Sequence, residues 1–146
     1  MAEKQPQTLE NHAKFVPLFH YVAFPILAVN VLWSLYRVVT EVSIDTAIAA
    51  AVAFSLVMLA LFARTFALGA QDRVIRLEER LRMQGLMPDE LKPRIDEFTT
   101  DQLVALRFAS DEELPELGRK VLDDGIGERK TIKEMIVSWR ADYQRL

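Results

Sequence analysis

Four polar side chains, Asn30, Ser34, Arg37 and Glu41, interrupt an apolar stretch at spacings i, i+4, i+7 and i+11, which sets them on one face if the stretch is helical. An amide, a hydroxyl and a guanidinium in file could line a path for ions or hold a polar ligand. The same file could serve packing, with Asn30 and Ser34 bonding to a neighbouring helix while Arg37 reaches outward to pair with Glu41. Packing is the preferred reading, because Arg37 stands within a turn of the end of the stretch, where its charge costs little. Other chemistry is sparse. His12 and His20 bracket the start of the same stretch, and in a dimer two copies of His20 could in principle hold a haem or metal, but no second histidine lies deeper and no Cys-x-x-Cys-His motif exists. Interfacial histidines are the simpler reading, and no cofactor is expected. The carboxylate groups Glu78-Glu79, Asp111-Glu112-Glu113 and Asp123-Asp124 read as solvated helix faces and ends, not as catalytic pairs.

The elements that must position these residues are two apolar runs near the N-terminus, residues 15–40 and 46–68, together a hairpin over 15–68. Each is about the 20 residues that a helix needs to cross a hydrocarbon core of roughly 30 Å. The connector Glu41-Val42-Ser43-Ile44-Asp45 has no basic residue, whereas Lys4 and Lys14 precede the first run and Arg73, Arg76, Arg80 and Arg82 follow the second. By that asymmetry both termini are expected to be cytoplasmic, with the connector on the other side of the membrane. Arg37 and Arg64 are the charges at the membrane edges. Phe15, Phe19 and Tyr21 suit the inner interface, and Trp33 with Tyr36 the outer one. A cleaved signal peptide fits less well, since the first apolar run is too long and no small-residue cleavage site precedes the connector.

Counted inward from the connector, Asn30 and Ser55 come to similar depths, about 12 to 15 Å below the surface. A hydrogen bond between them, or from Asn30 to another subunit, is expected. Ala47, Ala51 and Ser55 at four-residue spacing predict a small-residue face for close helix packing, with Ala49 and Ala53 beside it. Pro25 should bend the first helix.

Charged residues make up 27% of the chain, yet most of them follow Leu68, so the chain is split between two solvents. The absence of cysteine excludes disulfides, thiolate metal sites and cysteine nucleophiles, and the net charge of -3 with interspersed signs leaves no nucleic-acid footprint. Ala67, Ala70, Val74, Leu77, Leu81 and Gln84 form a heptad seam that should carry the second helix onward as an amphipathic stalk over 69–86. Val74, Leu77 and Leu81 are expected to be covered, either by a second copy or by the chain's own C-terminal part. The spacings Asp72 to Arg76 and Glu78 to Arg82 predict supporting pairs along the helix, and Gly85 with Pro88 should end it.

Residues 87–146 read as a small cytoplasmic helical module preceded, at the other end of the chain, by a short segment over 1–14. Thr99 with Gln102 and Ser110 with Glu113 have capping-box spacing. Apolar runs follow at 103–108, at Leu114, Leu117, Val121 and Leu122, and at Ile132, Ile136, Trp139 and Tyr143, with Gly125 and Gly127 between the last two. The final run, flanked by Arg129, Lys130, Lys133 and Arg140, could lie on anionic lipid or dock into the module, and docking is expected because so small a module needs Trp139 to complete its core.

The stretches NHAKFVPLFHYVAFPIL, ARTFALGAQDRVIRLEERLRM and QLVALRFASDEELPELGRKVL closely resemble short bacterial two-span membrane proteins catalogued as a domain of unknown function. The resemblance covers nearly the whole chain and implies no activity. Some members carry an automatic ABC-transporter permease label, which gains no support here: two spans are few for a permease, and no GxxxxGK[ST] loop is present. The expectation is an all-α, non-enzymatic membrane subunit whose partners are the lipid bilayer and either itself or another membrane protein. The alternative is an oligomeric pore or small transporter lined by Asn30, Ser34 and Arg37.

Overall fold

A computed structural model describes residues 8, 9 and 16–142. The fold is all-α, with one isolated bridge between Ala109 and Trp139 in place of any strand among the described residues. Two compact units divide at Leu68: Phe15–Leu68, and a second unit containing Gly69–Leu146.

In the first unit a π-helical turn, Leu18–Ala23, leads into helix α1, Phe24–Thr40. Pro25, in the first turn of α1, has no amide hydrogen to give a carbonyl one turn back, and the wider π turn directly before it is how the helix absorbs that loss. Leu18–Thr40 and helix α2, Ile44–Leu86, are both long and apolar enough to cross a membrane. Between them Ser43 and Thr46 cap each other: Ser43 N–H donates to Thr46 Oγ1 and Thr46 N–H to Ser43 Oγ, each at 3.2 Å. Thr46 Oγ1 also lies 2.8 Å from the Glu41 carbonyl, tying the connector to the start of α2.

The second unit starts with the last turns of α2, which end at Leu86 just before Met87-Pro88. A 3-10 helix at Lys92–Glu97 follows, then α3, Thr100–Leu106, α4, Leu114–Asp123, and α5, Arg129–Glu134. The capping box at α3 is complete, with Thr99 and Gln102 each bonding the other's backbone N–H. Only half of the second box forms: Ser110 Oγ accepts from Glu113 N–H at 3.3 Å, while the Glu113 carboxylate accepts from Val137 and Ser138 N–H at 2.9 and 3.0 Å. Pro115 sits in the first turn of α4, where a missing N–H has no helical acceptor to lose. That helix closes on Gly125, φ 63°, with Gly125 N–H donating to Leu122 O and Ile126 N–H to Val121 O, a left-handed cap that suits glycine. The core is built from Met83, Met87, Ile95, Phe98, Leu103, Leu106, Phe108, Leu114, Val121 and Ile132, all buried.

The C-terminal run corrects the expected helix. It stops at Glu134, and Ser110 N–H to Ser138 O and Arg140 N–H to Phe108 O, at 3.0 and 2.7 Å, pair the next residues in extended form against 108–110. β-Branched Ile136 and Val137 and the Glu113 carboxylate, which takes two amides a helix would have used, together favour the extended course. Ile136 and Trp139 still turn to the core, Trp139 packing its ring 5.1 Å from Phe108, while Tyr143 lies outside the described residues.

Candidate functional site

The polar file of α1 divides. Ser34 is buried, Asn30 is exposed, and Arg37 Nη2 meets Glu41 Oε2 at 2.5 Å across one turn. The inward face of α1 is Leu27, Val31, Ser34 and Val38, and that of α2 is Thr46, Ala50, Ala53, Val57, Ala60 and Arg64, each alternating by four and three residues. Such spacing is that of two helices meeting along a seam, and α1 and α2 are the two long helices of this unit.

Within the hairpin two expectations are not met. Ala47, Ala51 and Ser55 are exposed and lie about 100° around α2 from the inward face. With alanines at 47, 49, 50, 51 and 53, four-residue spacing could not choose among several equivalent faces; the Thr46 bond to the connector does, because it turns Thr46 and its register inward. Nor do Asn30 and Ser55 bond to each other: Ser55 Oγ donates to Ala51 O at 2.8 Å, satisfying its hydroxyl within its own helix. Asn30 therefore presents its amide at the outer surface of the hairpin, beside the seam.

On the last turns of α2 the covered face is Ile75, Glu79 and Met83, and the C-terminal helices pack there. Val74, Leu77 and Leu81, expected to be covered, are 54%, 61% and 61% exposed. Covering by the chain's own module is thereby ruled out for this stripe, which points nearly opposite to the covered face at 100° per residue. The expected ion pairs along the helix are also replaced. Asp72 meets Arg129 at 3.0 Å rather than Arg76, and Arg82 turns from Glu78 to Glu79 and Asp111, at 2.9 and 2.6 Å. Asp72 and Arg82 reach Arg129 and Asp111 across the fold, and Arg82 also takes the buried Glu79 one turn back; an exposed i,i+4 pair of the expected kind contributes only about 0.3 to 0.5 kcal/mol.

The densest polar constellation of the module is one the sequence did not single out. Arg82 Nη2 donates to Ala109 O at 2.7 Å and, with its bond to Asp111, fastens α2 to the segment after α3, while Glu79 holds the guanidinium from within α2. Glu79 also faces Arg140 at 3.6 Å, and Arg107 Nε lies 3.2 Å from Asp142 with its guanidinium over the Phe108 ring. Burial holds the Glu79 carboxyl above its ordinary value, against the opposing pull of Arg82, Arg140 and Arg107. The available signal was Glu79 at i+4 from Ile75 and i−4 from Met83, a carboxylate in line with apolar residues. The basic flank of the last run is spent inside the unit: Arg129 on Asp101 and Asp72, Lys133 over the Phe108 ring, Arg140 toward Glu79.

No group of three or more metal-binding side chains occurs among the described residues. His20 Nδ1 donates to Val16 O at 2.8 Å, and its ring meets the edge of Phe19; His12, Lys14 and Phe15 lie outside the described residues. A groove of about 310 Å³ runs along Glu113, Glu116, Leu117, Lys120 and Met135, but Glu113, its most enclosed carboxylate, is already bonded to backbone. What the arrangement offers is surface: an apolar hairpin, an outward amide at Asn30 and an apolar stripe on α2.

The chain belongs to a family of unknown function, DUF6526, whose model matches residues 1–146. No curated protein and no solved structure matches it.

Proposed function

We propose that this protein is a non-enzymatic subunit of a bacterial inner membrane, held by the α1–α2 hairpin with both termini cytoplasmic and acting through assembly with other chains. The observation that carries this reading is the exposure of its apolar helices. Only 6% of the apolar window of the first helix and 11% of that of the second are buried, where the core helix of a soluble protein would be mostly covered. Leu32, Leu59 and Phe66 alone stand 67%, 64% and 72% open. Each such side chain left in water forgoes about 1.5 to 3 kcal/mol, so lipid is the medium that fits this surface.

Assembly is supported by what lipid does not satisfy. The outward Asn30 amide needs a polar partner at membrane depth, and the Val74, Leu77, Leu81 stripe lies beyond the apolar span, where lipid does not reach. An oligomeric pore would use the same Asn30, but Ser34 is turned into the seam and Arg37 is neutralised by Glu41, which leaves one free polar group of three to line it.

The test is alkaline extraction of membranes followed by native mass measurement in detergent, with co-purifying proteins identified. Retention in the membrane pellet and a complex larger than the 16.7 kDa chain are expected. Release by alkali, or a lone chain after mild extraction, would overturn the reading. A single-component ring that conducts ions in planar bilayers would favour the pore.

A further inference from the structure

We infer that the exposed stripe of α2 is covered by the same stripe of a second copy, in a parallel two-stranded contact registered by reciprocal Arg73–Glu78 pairs. The inference rests on the membrane reading, because two copies inserted the same way must run their α2 helices parallel. Three features select this occupant. With Ala67, Val74 and Leu81 at one core position and Ala70, Leu77 and Gln84 at the other, a β-branched valine and a leucine stand where two-stranded parallel coils prefer them. In that register Arg73 precedes the apolar position of its heptad and Glu78 follows that of the next core residue, five residues on, which is the spacing at which flanking charges of parallel helices meet across the contact. And both are available: neither Arg73 nor Glu78 joins an ion pair or hydrogen bond among the described residues, whereas Asp72, Glu79, Arg80 and Arg82 do; Arg76 joins none either, but it stands on the flank away from the stripe.

The covered and open faces of α2 make the contact sterically accessible. Ile75, Glu79 and Met83 hold the C-terminal helices on the side opposite Leu77, so a second copy approaches without displacing its own module. An antiparallel contact would set Arg73 against Arg73 and Glu78 against Glu78; a foreign apolar partner would have no need for a self-complementary charge pattern.

The experiment uses the full-length protein in its native membrane, first confirmed to resist alkaline extraction. Leu77→Cys should form an intermolecular disulfide under mild oxidation, and Arg76→Cys, on the flank away from the stripe, should not. Separately tagged Arg73→Glu and Glu78→Arg variants are then expressed alone and together. Each alone faces like charges across the contact and should self-associate less than the wild type. Together each repelled pair becomes an attractive one, so capture of one tag should enrich mixed over self pairs by roughly fivefold, from four altered charge contacts of a few tenths of a kcal/mol each. Disulfide formation confined to Leu77 with mixed enrichment is the supporting result. No disulfide at Leu77 in alkali-resistant membranes, crosslinking of Leu77→Cys to a different protein, or crosslinking without mixed enrichment would each overturn the inference while leaving the membrane reading standing. Release of the protein by alkali would fail the membrane reading itself.

Discussion

Replacing Arg82 by methionine isolates the clamp that joins α2 to the C-terminal helices. The change removes the nearer partner of Glu79, whose side chain is 7% exposed and keeps Arg140 at 3.6 Å, and leaves the Ala109 carbonyl without its donor at 2.7 Å. Breaking a buried pair from one side costs about 3 to 5 kcal/mol, and the stranded carbonyl adds about 1 kcal/mol. Asp111 is 59% exposed, so its lost pair contributes little. Against a total stability of about 5 to 15 kcal/mol for a small domain, the variant should be close to unfolding in its second unit. Glu79→Met/Arg82→Met, which removes both charges, should return to within about 1 kcal/mol of the parent. Acidity gives a second handle. Because burial already holds the Glu79 proton more tightly in the folded chain than in the unfolded one, its contribution to stability is fully present below the unfolded value of 4.5 and is lost as pH rises through the folded one. Without Arg82 the folded value rises further, so the single variant should regain stability on acidification more steeply than the parent. The assay is urea unfolding in detergent, followed by Trp139 emission in a Trp33→Phe background, these being the two tryptophans of the chain. A single variant within 1 kcal/mol of the parent, or a double variant as unstable as the single, would refute the reasoning.

Other expectations follow from local geometry. Ser34→Leu should loosen the hairpin, since overfilling a packed seam costs about 1 to 3 kcal/mol, and would show as a lower thermal midpoint in detergent. Asn30→Leu should leave that midpoint unchanged, because the amide is outside the seam, and lower the fraction of assembled complex on native gels. Thr99→Ala removes one side of the α3 capping box and should cost about 0.5 to 2 kcal/mol by the same urea titration as above.

The two long apolar helices were readable from length and apolar content, and the start of α3 was readable because its capping box acts within four residues; α4 starts at Leu114, four residues past Ser110, with no side-chain cap at its N-cap Glu113. Faces were harder. The alanine-rich start of α2 offers several equivalent small-residue stripes, and a single tertiary bond, Thr46 to the Glu41 carbonyl, decides between them. The heptad seam at Val74, Leu77 and Leu81 was plain in the sequence, but the competing face through Ile75, Glu79 and Met83 was obscured by a carboxylate that only folding pairs with Arg82 and Arg140. The last run kept its apolar residues against the core while losing its helix, since Glu113, more than twenty residues away, claims the amides of Val137 and Ser138. The 3-10 helix at Lys92–Glu97 had no periodic apolar signal and was not foreseen.

The central claim, a hairpin that crosses the membrane twice, is tested most directly by single cysteines in this cysteine-free chain. Val42 in the connector is 91% exposed and makes no side-chain bond, which suits it better than the capping Ser43; Glu112 is exposed in the C-terminal unit and joins no ion pair. In intact spheroplasts Val42→Cys should react with an impermeant maleimide while Glu112→Cys reacts only after lysis; labelling of both before lysis, or of Val42→Cys only after it, would contradict the account.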